Sequence, residues 1–159
     1  MEEIFMMQAL KEANKAYNKL EVPVGAVIVK NNQIISKGHN QKETKSDCTR
    51  HAEIVAIEKA CKKLNSWRLN DCTMYITLEP CAMCAGAIIQ SRIKKIYIGA
   101  MDQKTGCCGS VFNLFDDYKF NHHVEFETGI CEEESEKLLK NFFKELRRIK
   151  KDGEIPKWS

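Results

Sequence analysis

The chain has 159 residues, with 25 Lys and Arg against 22 Asp and Glu, a net charge of +3, 43% hydrophobic and 30% charged residues. This mix suits one folded domain with a sizeable core and argues against disorder, and a charge so close to neutral does not by itself point to nucleic acid. No apolar run is long enough to span a bilayer, and the acidic start Met1-Glu2-Glu3 lacks the form of a signal peptide; a cytoplasmic location is therefore expected, with the eight cysteines acting as thiols or metal ligands and not as disulfides.

In chain order, residues 4–20 are predicted to be helical, because Met6, Leu10, Ala13, Tyr17 and Leu20 recur at three- and four-residue spacing among lysines and glutamates. The continuous apolar run from Val24 to Val29 reads as a buried strand. Asn31-Asn32 then forms a turn, and Ile34-Ile35 begins the partner strand of a hairpin that ends near Gly38. A polar loop from Gln41 to Cys48 leads to a second helix, with Thr49 as its expected cap and Ile54, Val55, Ile57 and Leu64 on its buried face. Thr73–Leu78 is the third strand, with Met74, Ile76 and Leu78 on one side, and Pro80 opens the next helix. Ile96-Tyr97-Ile98 is a fourth strand and Val124-Glu125-Phe126 a short fifth. The last helix starts at Glu132-Glu133-Glu134 and is expected to bury Leu138, Leu139, Phe142, Phe143, Leu146 and Ile149. Helices alternating with strands predict an α/β domain in which helices flank a sheet. Residues 1–159 are read as one domain whose tail, 152–159, is loosely ordered.

The chemistry lies in two segments thirty residues apart, His51-Ala52-Glu53 and Pro80-Cys81-Ala82-Met83-Cys84. His51, Cys81 and Cys84 are three zinc-competent side chains, and three ligands beside an acid suit a catalytic zinc with a free corner for water. Cys81 and Cys84 are three apart at a helix start, one turn from each other, where backbone N–H groups favour thiolates. On a regular helix His51 and Glu53 are separated by about 200° of rotation, so both reach one pocket only if it wraps around the helix end. The H-x-E…P-C-x-x-C pattern is that of the zinc deaminases of bases, with Glu53 moving protons between the activated water and the substrate. The blander reading is a structural zinc closed by Cys48, Cys107 or Cys108; a redox pair has even less behind it.

Beyond these motifs the chain resembles the bacterial tRNA-specific adenosine deaminases of the cytidine/deoxycytidylate deaminase superfamily. The resemblance spans nearly all of residues 1–150: Glu21-Val22-Pro23-Val24-Gly25-Ala26-Val27, Gly38-His39-Asn40, Thr77 through Ala87, Gly99-Ala100, Asp102, Lys104-Thr105-Gly106, Gly109-Ser110 and Asn121-His122. It implies a three-layer α/β/α cytidine-deaminase-like fold with a five-stranded mixed sheet, one Zn2+ per subunit, a homodimer, and conversion of the wobble adenosine of a tRNA anticodon to inosine. It also implies that Asn40 hydrogen-bonds the flipped purine, that the Ala52 N–H faces the base, and that Asp102, Lys104, Asn121 and His122 touch the anticodon loop. Taken without the resemblance, Asn40 and Asp102 read as turn caps and Lys104 as a solvated loop residue. Met101 departs from relatives that carry arginine there, and Cys107-Cys108 stands where alanines are common and reads as a pair of small buried residues.

Lys144, Arg147, Arg148, Lys150 and Lys151 crowd the end of the last helix. They suit the negative end of the helix dipole, or they screen the phosphates of an RNA stem. The competing functional readings are a deaminase of free guanine, cytosine or a nucleoside, and a non-catalytic binding module stabilised by zinc.

Overall fold

The computed structural model describes residues 1–153, with the elements α1 (Glu2–Tyr17), β1 (Gly25–Lys30), β2 (Gln33–His39), α2 (Ala52–Leu64), β3 (Cys72–Leu78), α3 (Ala82–Gln90), β4 (Lys95–Ala100), β5 (Glu125–Thr128) and α4 (Glu132–Lys151). Asn31 and Asn32 both take positive φ, 51° and 59°, and join β1 to β2 across the Lys30–Gln33 pair. Asparagine tolerates this conformation better than other side chains, so the two-residue hairpin follows from the local sequence. Of the tail expected to be loosely ordered, residues 154–159 lie outside the described residues.

The five strands form one mixed sheet in the order β2-β1-β3-β4-β5. The β1–β2 and β1–β3 pairs are antiparallel; the β3–β4 and β4–β5 pairs are parallel. The period-2 alternation of strands then sorts the core into two layers. Ala26, Ile28, Met74, Ile76, Ile96 and Ile98 face α2 and α3, and Val27, Val29, Tyr75 and Tyr97 face α1. On that second face Ser135 of α4 lies against Gly99, and the Phe142 ring meets Tyr17 edge-on at 5.5 Å. The result is a three-layer α/β/α fold.

Four local expectations change. Pro80 stands before the third helix and not in its first turn, because Cys81 takes the cap position and Ala82 is the first helical residue. The first helix ends at Tyr17, not Leu20, because Leu20 turns to a φ of 57°. Thr49 does not cap the second helix: its N–H and hydroxyl both donate to Asp47, at 2.8 and 2.7 Å, and His51 holds the cap position. On α4, Phe142, Leu146 and Ile149 are buried, Leu138 and Leu139 are half-buried, and Phe143 is 41% exposed. Phe143 falls about 100° from Phe142 and so leaves the buried stripe.

The close fit of α2 to the sheet positions the site. A Cβ on Gly38 of β2 would lie 2.6 Å from the Ala52 carbonyl oxygen and 2.7 Å from the Ala56 nitrogen. Gly38→Ala is therefore expected to push the start of α2 outward and to cost about 1–3 kcal/mol as overpacking. A urea denaturation midpoint equal to that of the unsubstituted protein would contradict this.

Candidate active site

Two helix starts converge on the same face of the sheet. His51 is the N-cap of α2 and Cys81 the N-cap of α3, and neither side chain bonds its own helix end. Instead the His51 Nδ1 lies 3.6 Å from Cys81 Sγ and 3.5 Å from Cys84 Sγ. Cys84 is fully buried, one turn into α3. A tetrahedral zinc with ordinary Zn–N and Zn–S bonds separates its nitrogen and sulfur ligands by about 3.6 Å. The nitrogen therefore already stands at the spacing from each sulfur that such an ion requires, and all three donor atoms lie within 4.8 Å of one another. Among the described residues, the cluster of potential ligands consists of His51, Cys81 and Cys84. Cys48 is exposed, while Cys107 and Cys108 are buried in the core beside Pro80 but outside that cluster, as small apolar residues would be.

His51 has extended backbone, φ −74° and ψ 157°, so it stands outside the helical spiral that Glu53 follows. The 200° rotation of a regular helix therefore does not separate them. Glu53 is 4% exposed and faces the same cavity as His51 and Cys81. Burial pushes its carboxyl up to about 7, against the pull of its own backbone N–H and of His51. The hydrogen bond from Cys84 pulls the Cys81 thiol down to about 4 in spite of burial, with the His51 ring assisting. His51 in turn is raised, chiefly by its hydrogen bond with Cys81.

The cavity holds about 230 Å³ and is walled by Val22, Val24, Asn40, Ala52, Leu78 and Asp102 besides the site residues. Its mostly apolar wall with a few convergent polar groups is typical of a small-molecule site. Asn40 Nδ2 donates to the Val22 carbonyl at 3.2 Å, and its Oδ1 accepts from the Lys42 N–H at 3.1 Å. Asp102 accepts from the N–H groups of Lys104 and Thr105 at 3.0 and 3.2 Å and from the Thr105 hydroxyl at 2.7 Å. Lys104 is exposed and does not line the cavity, whereas Thr105 does.

Asn121 and His122 lie elsewhere. The His122 Nε2 is 2.7 Å from the carbonyl of Ile93, beyond the C-terminal end of α3, while Cys81 stands at its beginning. Nine residues of helix put these ends about 13 Å apart. Asn121 is exposed and borders a separate cavity of about 240 Å³ with Arg92, Lys119 and Phe120. Arg147 and Arg148 are exposed on the last turns of α4, and Arg148 is paired with Glu145 and Asp152.

Sequence reasoning found Glu53 but missed two further buried acids at the cavity, Glu21 and Glu79. Among the described residues four glutamates are buried, Glu12, Glu21, Glu53 and Glu79. Glu12 pairs with Lys15 at 2.6 Å and His39 at 3.3 Å. Glu21 accepts from the Glu43 and Thr44 N–H groups at 3.0 and 2.7 Å and from the Thr44 hydroxyl. Glu79 holds the Asp102–Ser110 segment in the same manner. Glu53 instead pairs with its own helix-start N–H and with Cys84. The available signal was an acid set directly against an apolar run and a proline, as in Glu21-Val22-Pro23 and Leu78-Glu79-Pro80.

The chain as a whole has known counterparts. A family model described as MafB19-like deaminase matches residues 1–147. A tRNA-specific adenosine deaminase of Bacillus subtilis (strain 168) is 49% identical over 150 residues, covering 94% of this chain and 93% of the relative. Another of that description, from Aquifex aeolicus (strain VF5), is 51% identical over 145 residues, covering 91% and 95%. A solved structure from a study of A-to-I editing by tRNA:A34 deaminases at the wobble position of transfer RNA superposes with a TM-score of 0.82 at 40% identity, covering 85% of this chain and 98% of that one. The chain belongs to the tRNA-specific adenosine deaminase family of the deaminase superfamily.

Proposed function

We propose that the protein is a zinc-dependent hydrolase that converts the wobble adenosine of a tRNA anticodon loop to inosine. The observation that carries this reading is the buried Glu53 beside His51, Cys81 and Cys84 at one small cavity. The relatives named above act, by their descriptions, on tRNA.

His51 Nδ1 and the two thiolates would hold the zinc, which supplies the Lewis acidity that lets water act as a nucleophile near neutral pH. Glu53 takes a proton from that water and delivers it to the ring nitrogen beside the amino-bearing carbon. The water oxygen bonds to that carbon, Glu53 passes the second proton to the amine, and ammonia leaves. One water is consumed, one ammonia is released, and the ring keeps a carbonyl.

The remaining residues hold and orient the base. Asn40 uses one amide hydrogen on Val22 and one lone pair on Lys42, which leaves one donor and one acceptor for the purine edge. The Ala52 N–H is among the first groups of α2, which have no partner within their own helix, and it faces the base. Asp102 and Lys104 meet the anticodon loop at the rim. Asn121 and His122 serve nucleotides flanking the target, away from the cavity. A loop substrate suits buried chemistry, because extruding a base from a single strand costs less than from a duplex.

The test is to incubate the purified protein with total bacterial tRNA, measure inosine in the tRNA, and determine zinc per chain. One zinc and accumulating inosine support the reading. One zinc without inosine, but with ammonia released from free bases or nucleosides, would replace it with a small-molecule deaminase. We further propose a homodimer, supported by the exposed apolar side chains Met83, Val111, Phe112, Tyr118 and Phe120. Sedimentation of the zinc-loaded protein as a monomer at micromolar concentration would refute that.

For the end of α4, the double variant Arg147→Gln/Arg148→Gln is expected to reduce the logarithmic salt dependence of tRNA binding by about 0.7–0.9 for each phosphate no longer neutralised. An unchanged slope removes this helix from the RNA surface.

A further inference from the structure

Glu79 is 3% exposed and stands between the end of β3 and the metal-ligand segment, two residues before Cys81. It lines the cavity with His51, Glu53 and Cys81, and its carboxylate is bonded into the Asp102–Ser110 loop. One oxygen accepts the Asp102 N–H at 2.9 Å and the Ser110 hydroxyl; the other accepts the N–H groups of Cys108 and Ser110, both at 3.0 Å. Backbone bonds on either side run in parallel with these, from Glu79 N–H to the Ala100 carbonyl at 2.8 Å and from Cys107 N–H to the Pro80 carbonyl at 2.9 Å. An independent feature points the same way. A Cβ on Gly106 would strike the Glu79 carboxyl group, with the Asp102 carbonyl oxygen 2.5 Å away on the other side. The loop is thus wrapped around the carboxylate so closely that only glycine fits at its centre. That loop brings Asp102 and Thr105 to the cavity.

We propose that Glu79 is a positioning residue for substrate: its carboxylate fixes the Asp102–Ser110 loop against the Cys81 helix start, so that one side chain sets the distance between the metal ligands and the wall that receives the nucleotide. Both of its oxygens are occupied by loop donors, which separates it from Glu53. The proposal rests on the deaminase reading above for its substrate, but its structural half does not. Hydrogen bonds from several N–H groups to one carboxylate are charge-assisted and among the stronger ones in proteins. Glutamine in its place offers one acceptor and turns an N–H2 group toward an N–H donor, so at least one loop amide is left without a partner.

The experiment uses zinc-loaded protein with Glu79→Gln, Gly106→Ala and Glu79→Asp. Three quantities are measured: zinc per chain, kcat and KM for inosine formation in tRNA, and amide hydrogen exchange at Asp102, Cys108 and Ser110. In the unsubstituted protein these three amides should be strongly protected. In Glu79→Gln and Gly106→Ala, zinc should stay at one per chain, exchange at the three amides should quicken, and KM should rise about tenfold with a much smaller change in kcat; tenfold corresponds to removing one hydrogen bond to a charged group. Glu79→Asp should recover part of the KM. Loss of kcat at unchanged KM and unchanged exchange would overturn the proposal in favour of a direct chemical role, and free exchange at these amides in the unsubstituted protein would overturn it without any variant. If the unsubstituted protein makes no inosine while exchange responds as described, the deaminase reading fails and the loop-pinning role stands.

Discussion

Replacing Glu53 with alanine is expected to leave one zinc per chain and to lower kcat by about 10³-fold or more, the scale of a missing general acid–base group that acts on more than one proton. The reason lies in how the buried carboxylates are used. Glu12, Glu21 and Glu79 each satisfy a Lys, His or loop donor, and removing any of them leaves a buried donor without a partner. Glu53 takes only its own helix-start N–H and Cys84, a side chain that a bound zinc would itself hold in place. Its removal should therefore leave the fold and the ligands intact and affect turnover alone. Glu53→Gln, which keeps the shape but loses the carboxyl that takes up and releases a proton, should behave like the alanine variant. Full activity with zinc in place would end the assignment of Glu53 as proton carrier.

Stripping zinc should be the largest perturbation of stability. His51 and the two cysteines belong to different helices, so an ion between them ties α2 to α3. A ligand that binds only the folded state stabilises it by about 4 kcal/mol at a thousandfold excess over its Kd. For a domain of this size each kcal/mol shifts Tm by about 2–4 °C, which gives a drop of roughly 8–16 °C on chelation. Cys84→Ala should show the low Tm at once and no response to added zinc. Thermal melts with and without chelator, paired with metal analysis, decide the matter. Identical melts and no metal in the purified protein would remove zinc from the account.

Most of the fold is legible in the sequence because local and tertiary preferences coincide. The run from Gly25 to Val29 is buried on both faces, as an unbroken apolar stretch requires, and Asn31-Asn32 turns where asparagines can. The cluster of His51, Cys81 and Cys84 is legible from residue types and spacing, since Cys-x-x-Cys at a helix start suits metal binding or redox work and the histidine tips it toward metal. What periodicity does not supply is the state of single residues at element ends. Helical geometry applied to His51 sets it across the helix from Glu53, when it is the extended residue before the helix. Threonine favours a cap position, but the helix begins at Ala52 with His51 as its N-cap, and Thr49 lies in the turn before it, donating to Asp47. Asn121 and His122 are tied to the site by resemblance alone, and they stand at the other end of α3 from Cys81. The roles of Glu21 and Glu79 depend on loop amides distant in sequence, and no local pattern encodes such a pairing.

The carboxylate staple at Glu79 bears on how such enzymes could be re-engineered. A segment equivalent to 102–110 transplanted from another deaminase brings its own array of amides, while the acceptor they need follows β3 of the recipient. A graft that moves the segment without its matching acid, or the acid without its segment, strands a buried polar group at a cost of about 1–3 kcal/mol. Selectivity loops in this architecture are therefore exchangeable only as paired cassettes, and libraries that randomise the rim while holding position 79 and Gly106 constant should yield far more folded members than libraries that vary all of them.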